Sequence, residues 1–264
     1  MASISSLLEL GQETGQSVAG TTCTRYQGND GKGRLAEDVV ALYLRLNGYF
    51  LTGFVAHSPE PRQTRTEVDF LAVRFPFHSE TEREVGNDPT LQVSSNRIDL
   101  LWCEVKSASR KRSIRFNDAQ SDSTERTKAA RRSILKRAGM FRDDCVIEEL
   151  VEKIGPMLSQ GCVGSLPCEI VNGTYQVRAV LFAPSISHQP PSNERFFVGG
   201  DAIFGFITSC LCPAAPREQC AADYGHRRWG YLDWLVRCIK KTSSIEAPVS
   251  MDALTESLGT NSLV

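Results

Sequence analysis

Four segments of the chain have patterns typical of helices. The clearest segment is residues 33–49, which contains a natural stop signal, Gly48. Its apolar stripe consists of Leu35, Val39, Leu42 and Leu46. A second helix is predicted over residues 122–139, with a capping arrangement of Asp122 and Glu125 at its start and Gly139 at its end. Two more are predicted over residues 146–158 and 229–241, and the apolar stripe of the latter is Leu232, Leu235, Val236 and Ile239.

Strand-like patterns lie between and after these helices. The predicted strands cover residues 49–58, 66–75, 98–106, 113–117, 175–184 and 201–210. In the second of them, regular alternation places Val68, Phe70 and Ala72 on one face. The order of elements predicts an α/β sandwich around a short mixed sheet. We expect a flexible lead-in over residues 1–32, one domain over 33–241, and a polar, mobile tail over 242–264.

The strand predicted over residues 98–106 changes character at its end. A mostly apolar run is followed by Glu104 and Lys106, with Val105 between them. Alternate residues of a strand point to the same side of the sheet, so both charges project from one face. Because burying an unpaired charge costs several kcal/mol or more, something on that face must offset the cost.

Two further carboxylates can reach the same place. Asp69 lies on the predicted strand 66–75, and it lies beside Glu104 if the two strands pair as a hairpin. Glu37 lies in the broad apolar arc of the first helix, away from its polar side of Arg34, Asp38 and Arg45. A divalent cation between the carboxylates would offset their charges, and Mg²⁺ typically takes one or two protein carboxylates. Lys106 beside it could orient or deprotonate the attacking water and stabilise charge on a phosphate.

Three segments in this order resemble the PD-(D/E)XK phosphodiesterase superfamily, in particular its Holliday-junction-resolvase-like branch. They are GRLAEDVVALYLRLNGYF, TEVDFLAV and LLWCEVKSAS, and the resemblance covers roughly residues 33–138. It implies a restriction-endonuclease-like mixed β-sheet flanked by helices, here with a long insertion between the second and third strands and a C-terminal extension from about residue 185. It also implies a metal held by Asp69, Glu104 and the Val105 carbonyl. Lys106 would assist the nucleophilic water, and Glu37 would hold a further water or a second metal.

Each of these residues also has a plainer interpretation. Glu104 and Lys106 would form a surface ion pair if their strand were a solvated edge strand. Asp69 could be a turn aspartate. Glu37 lies in the first turn of its predicted helix, where the helix dipole favours a carboxylate for stability alone. The apolar run before Glu104 favours a central strand, and therefore the catalytic interpretation.

Positive charge is concentrated directly after the motif. Residues 105–142 hold twelve Lys or Arg and three acidic residues, a net charge of +9 in a chain whose total is −1. Within this segment, Lys128, Arg132 and Lys136 share one helical face, and Arg110, Lys111 and Arg112 follow the strand. We expect these six side chains to contact nucleic-acid phosphates, the alternative being a merely solvated helix.

Composition narrows the class of protein. The chain has 264 residues, 41% of them hydrophobic, which fits one large globular domain or one domain with a small appendage. A signal peptide is not expected, and neither is a membrane span, which needs about 20 apolar residues. The nine cysteines predict reduced thiols in a cytoplasmic protein. Cys210, Cys212, Cys220 and His226 lack the paired C-x2-C spacing of zinc sites, so buried thiols are expected there instead.

These patterns together predict a cytoplasmic, Mg²⁺-dependent endonuclease. It would hydrolyse phosphodiester bonds of duplex or branched DNA by attack of an activated water, with Mn²⁺ as a substitute metal. The sequence is compatible with both a monomer and a homodimer. Two alternatives are a catalytically silent module of the same fold that binds nucleic acid or recruits a partner, and an interaction protein that works through residues 185–241.

Overall fold

The computed structural model describes residues 31–57, 64–78, 85–107, 114–116, 123–160, 168–171, 173–188, 196–212, 230–243 and 249–260. Within these ranges, six strands form one mixed sheet that carries helices on both faces. The helices are α1 (Gly31–Leu46), α2 (Glu125–Ala138), α3 (Asp144–Gln160), α4 (Gly200–Leu211), α5 (Asp233–Ser243) and α6 (Met251–Thr260). The strands are β1 (Phe50–His57), β2 (Thr64–Arg74), β3 (Ile98–Val105), β4 (Cys168–Val171), β5 (Tyr175–Ala183) and β6 (Val198–Gly199). Short 3-10 turns cover Pro89–Leu91 and Gly230–Leu232.

The sheet places β3 at its centre. The strand order is β1–β2–β3–β5–β4, and β6 pairs with the end of β5. Strands β1, β2 and β3 form an antiparallel meander, whereas β3 and β5 are parallel. A parallel pair requires a crossover connection, and the chain between β3 and β5 contains α2 and α3. The predicted α/β class with a mixed sheet is therefore confirmed.

Two hydrophobic cores lie on opposite faces of the sheet. On one face, Leu101 and Cys103 of β3 and Val180 and Phe182 of β5 pack against α1, α4, α5 and α6. On the other face, Leu100 and Trp102 of β3 pack against α2 and α3. Because helices bury both faces of β3, its sequence is a nearly continuous apolar run and does not alternate between apolar and polar residues.

A buried ion pair ties β3 to β5 inside the first of these cores. Arg178 and Asp99 each expose 1% of their side chains, and Arg178 Nε donates to Asp99 Oδ1 at 3.0 Å. Tyr49 Oη donates to Asp99 Oδ2 at 2.6 Å, and Arg178 also donates to the carbonyl of Leu91. The network therefore fixes the segment between β2 and β3 onto the sheet, and it satisfies the buried charges with hydrogen bonds.

Several predicted elements differ from the structure. Residues 201–210, predicted as a strand, belong to α4, whose buried Ile203, Phe204, Ile207 and Leu211 recur at helical spacing. The predicted strand 113–117 is absent at residues 114–116, which are the part of it that the structure describes. The predicted mobile tail contains helix α6, because Met251 and Leu254 are buried in the core beside α5. Helix α2 is capped by Thr124, whose hydroxyl accepts from Thr127 N, while Asp122 lies outside the described residues.

Candidate active site

A β-bulge in β2 sets the position of Asp69. Thr52 of β1 pairs with Leu71, but Phe54 pairs with Val68, so Asp69 and Phe70 together oppose a single residue. The extra residue shifts the alternation of side chains along the strand. Val68 accordingly packs with Leu71 in the core formed by α2 and α3, and its predicted place on the face of Phe70 is wrong.

Pairing of β2 with β3 brings Asp69 to the end of the central strand. The antiparallel register runs to Phe70 opposite Cys103, so Asp69 and Glu104 are the next residues along the two strands. The backbone N–H of Val105 donates to Asp69 Oδ2 at 2.7 Å. The expectation that the two strands pair, with Asp69 beside the end of β3, is therefore confirmed.

The orientation of the Val105 peptide groups follows from the strand on each side. Lys106 N donates to Phe182 O of β5 at 2.8 Å, so the backbone groups of Lys106 face β5. Neighbouring residues of a strand point their backbone groups to opposite sides, and the N–H and C=O of one residue point the same way. Since the Val105 N–H faces Asp69, the Val105 carbonyl faces the same side of the strand as the Asp69 carboxylate.

Glu104 and Lys106 form a charged pair at the end of β3. Glu104 is 5% exposed, and its Oε1 accepts from Lys106 Nζ at 2.6 Å. The Lys106 side chain is 25% exposed, so its ammonium reaches solvent at the edge of the sheet. Their pairing offsets part of the cost of burying the carboxylate. It also keeps an ammonium next to the two carboxylates.

Glu37 is half-buried in the N-terminal half of α1. The turn after α1 places Tyr49 on Asp99, near the start of β3. Helix α1 packs on the face of the sheet that carries Leu101 and Cys103. Glu104 alternates onto the opposite face, so the structure does not bring Glu37 into one cluster with the other two carboxylates. Asp38, predicted on the polar side of the helix, is only 3% exposed, because α1 is covered almost all round.

Cys103 is a neighbour of the site that sequence reasoning missed. Burial raises the pKa of its thiol well above the ordinary value, and the negative charge of the Asp69 carboxylate raises this pKa further. Cys103 therefore stays protonated and behaves as a small apolar residue on the strand between the site and the core. The only sequence feature that could have identified Cys103 as a buried neighbour of the site is its place in an apolar run.

The donor atoms at this edge suit a hard cation. Two carboxylates and a backbone carbonyl are oxygen donors, and Mg²⁺ commonly binds to one or two carboxylates and completes its shell with waters and substrate oxygens. Among the residues described, no group of three or more His, Cys, Asp or Glu has a metal-binding arrangement. A site with Asp69, Glu104 and the Val105 carbonyl needs no such group. These residues fit the implied metal.

The basic stripe of α2 faces the acidic side of α3. Lys128 Nζ lies 2.7 Å from Glu152, and Lys136 Nζ lies 2.8 Å from Asp144. Arg132 forms a two-pronged pair with Glu148, in which Nη2 donates at 2.6 Å. Each of the three cations predicted to contact phosphate thus has a carboxylate partner within the fold. This arrangement supports the alternative of an ion-paired surface helix.

The other predicted binding residues are Arg110, Lys111 and Arg112, and they lie outside the described residues. Of the four side chains considered for zinc, Cys210 is buried in α4 and Cys212 ends that helix. Cys220 and His226 lie outside the described ranges. Among the helices that the structure describes, none is long and apolar enough to cross a membrane.

Comparison with protein families, with curated proteins and with solved structures gives no significant match for this chain.

Proposed function

We propose that the chain is a metal-dependent DNA endonuclease with a restriction-endonuclease-like fold. One observation carries the proposal: Asp69 accepts from the Val105 amide directly beside the buried Glu104–Lys106 pair. An acidic pair, a backbone carbonyl and an ammonium then share one end of the central strand. This set of groups can support phosphodiester hydrolysis by an activated water.

Each residue has a defined part in this proposal. Asp69, Glu104 and the Val105 carbonyl hold Mg²⁺, which when bound supplies Lewis-acid stabilisation of the phosphate and lowers the pKa of water. Lys106 orients the attacking water through its Nζ and stabilises the negative charge that develops on the phosphate oxygens. Glu37, half-buried in α1, would hold a further water or a second metal, as the resemblance implies.

Incubation of the purified protein with circular and linear DNA tests this proposal, with Mg²⁺, Mn²⁺ or EDTA in parallel. Asp69→Asn, Glu104→Gln and Lys106→Met should each reduce the cleavage rate roughly 100-fold or more, because each removes a group that acts on the reacting phosphate. Glu149→Gln and Lys153→Met provide matched controls, since these two side chains form a comparable pair on the exposed side of α3. The controls should cleave at the wild-type rate.

Two results would contradict the assignment. Cleavage at the wild-type rate by Lys106→Met would remove Lys106 from the reaction. DNA binding without cleavage in any metal, unaffected by Asp69→Asn, would instead favour a catalytically silent binding module of the same fold.

A further inference from the structure

A second pair of polar side chains lies near the C-terminal ends of the central strands, where β3 also ends. Lys106 N contacts Phe182 O at the end of β5, and Phe182 lies opposite Val198 of β6. Strands β3, β5 and β6 therefore end side by side. Helix α4 begins directly after β6, so its first residues lie at the same edge as the candidate active site.

The turn after β5 is held closely against the start of α4. Gly200 N donates to Ile186 O at 2.6 Å, and Asp201 N donates to Ser187 O at 2.9 Å. A Cβ atom on Gly200 would lie 2.5 Å from the backbone carbonyl oxygen of Pro184, a distance too short for any side chain. Glycine at this position thus permits the close approach. The approach fixes the end of the turn, His188, next to Asp201.

His188 and Asp201 form a hydrogen-bonded pair at the surface. His188 Nδ1 lies 2.9 Å from Asp201 Oδ2, and the two side chains are 86% and 61% exposed. An exposed pair of this kind contributes little to stability. A carboxylate that holds one ring nitrogen does orient the imidazole, and here it leaves the Nε2 edge as the one available to a ligand.

We propose that His188, oriented by Asp201, binds a phosphate of the nucleic-acid substrate next to the scissile one. The inference rests on the proposed function. In the doubly protonated ring, Nδ1 donates to Asp201 while Nε2 donates to a phosphate oxygen, and both hydrogen bonds are charge-assisted. Two strand spacings, about 10 Å, separate β3 from β6. Because His188 and Asp201 follow the ends of β5 and β6 and not the end of β3, we assign their contact to a neighbouring phosphate and not to the reacting one.

The test is a salt titration of duplex-DNA binding in Ca²⁺ at one fixed, mildly acidic pH for all variants. His188→Ala should weaken binding several-fold and flatten the plot of log affinity against log salt by about 0.9, the contribution of one phosphate contact. His188→Lys, which keeps a cationic donor, should restore the slope. Asp201→Asn acts through the orientation of the ring, so it should weaken binding less than His188→Ala does.

Asp233→Asn is the matched control, because Asp233 forms an exposed pair with Arg237 on α5. It should change neither affinity nor slope. Unchanged affinity and slope in His188→Ala would overturn the contact, as would a wild-type protein that does not bind DNA. A loss of kcat without a change in affinity would overturn it too. If the wild-type protein binds DNA but cleaves none, the proposed nuclease function fails, while the slope still decides whether His188 contacts phosphate.

Discussion

Glu104 and Lys106 show how a charged pair can end an otherwise apolar strand. Spacing by two residues was enough to predict that they share a face, and the structure joins them at 2.6 Å. The contact between Asp69 and the Val105 amide could not be predicted in the same way. It depends on a bulge in the pairing of β1 with β2, and such an irregularity is a property of two strands rather than of one segment.

The buried Arg178–Asp99 pair gives a prediction at the same scale. Arg178→Met removes the cation and leaves the Asp99 carboxylate buried without its charge partner, so the free energy of unfolding should fall by about 3–5 kcal/mol. Urea unfolding measures this loss. The double variant Asp99→Leu/Arg178→Met removes both charges and should regain most of it. A double variant no more stable than Arg178→Met would show that the pair is not the source of the loss.

Element boundaries were predictable where a local signal marks them. Gly48 and Gly139, expected as stops, both adopt positive φ at the ends of α1 and α2. The sequence predicts a strand in place of helix α4 because this short apolar run is rich in aromatic and β-branched residues, which also suit a buried strand. Its helical spacing becomes decisive only when packing against α1 shows which of its residues are buried.

Two glycines of α1 and its C-terminal turn form a matched pair for mutation. Gly48 has φ of +82°, and a Cβ there would lie 2.3 Å from the His78 ring, so Gly48→Ala should destabilise the protein by about 1–2 kcal/mol or more. Gly33 lies within α1 with nothing near its Cβ position. Gly33→Ala should therefore stabilise the protein by up to about 1 kcal/mol, the difference in helix propensity. Thermal unfolding of both variants checks this, and equal effects would contradict the structural explanation.

The ion pairs between α2 and α3 give a second prediction at the scale of elements. Reversal of Lys128, Arg132 and Lys136 to Glu sets like charges against Asp144, Glu148 and Glu152, so the thermal midpoint should fall. Simultaneous reversal of the α3 residues to Lys should restore most of it, because the pairs form again with opposite polarity. If the α2 residues contacted phosphates instead, their reversal would flatten the salt dependence of DNA binding by about 2–3 units, and we expect a change below 1.

At the scale of the whole molecule, the class of fold was predictable, and the order of strands in the sheet was not. The sequence of helices and strands indicated a mixed sheet between layers. The position of β5 beside β3 depends on a crossover that contains α2 and α3. The contribution of residues after 185 to the core, through α4, α5 and α6, likewise depends on contacts between distant segments.

Alkaline pH should destabilise the whole domain through its buried tyrosines. Burial raises the pKa of Tyr43 and of Tyr49 well above about 10, and the neighbouring carboxylates of Asp88 and Asp99 raise it further. Below pH 10 both the folded and the unfolded chains keep these protons, so the two tyrosines do not change the free energy of unfolding. Above it, only the unfolded chain releases them, and each tyrosine costs about 1.4 kcal/mol per pH unit. Between pH 9 and 11, the free energy of unfolding measured with urea should fall less steeply with pH in Tyr43→Phe than in the wild type. Identical slopes in the two proteins would show that Tyr43 is not a source of the alkaline destabilisation.

The Arg178 network also has a consequence for the kinetics of folding. Its hydrogen bonds join residues separated by 50, 79, 87 and 129 positions along the chain. Contacts between residues so far apart form only after the intervening loops have closed, and loop closure lowers the conformational entropy of the chain. We therefore expect the network to be completed after the rate-limiting state. Its loss should accelerate unfolding and leave the folding rate nearly unchanged, so the buried cluster governs how long each folded molecule persists.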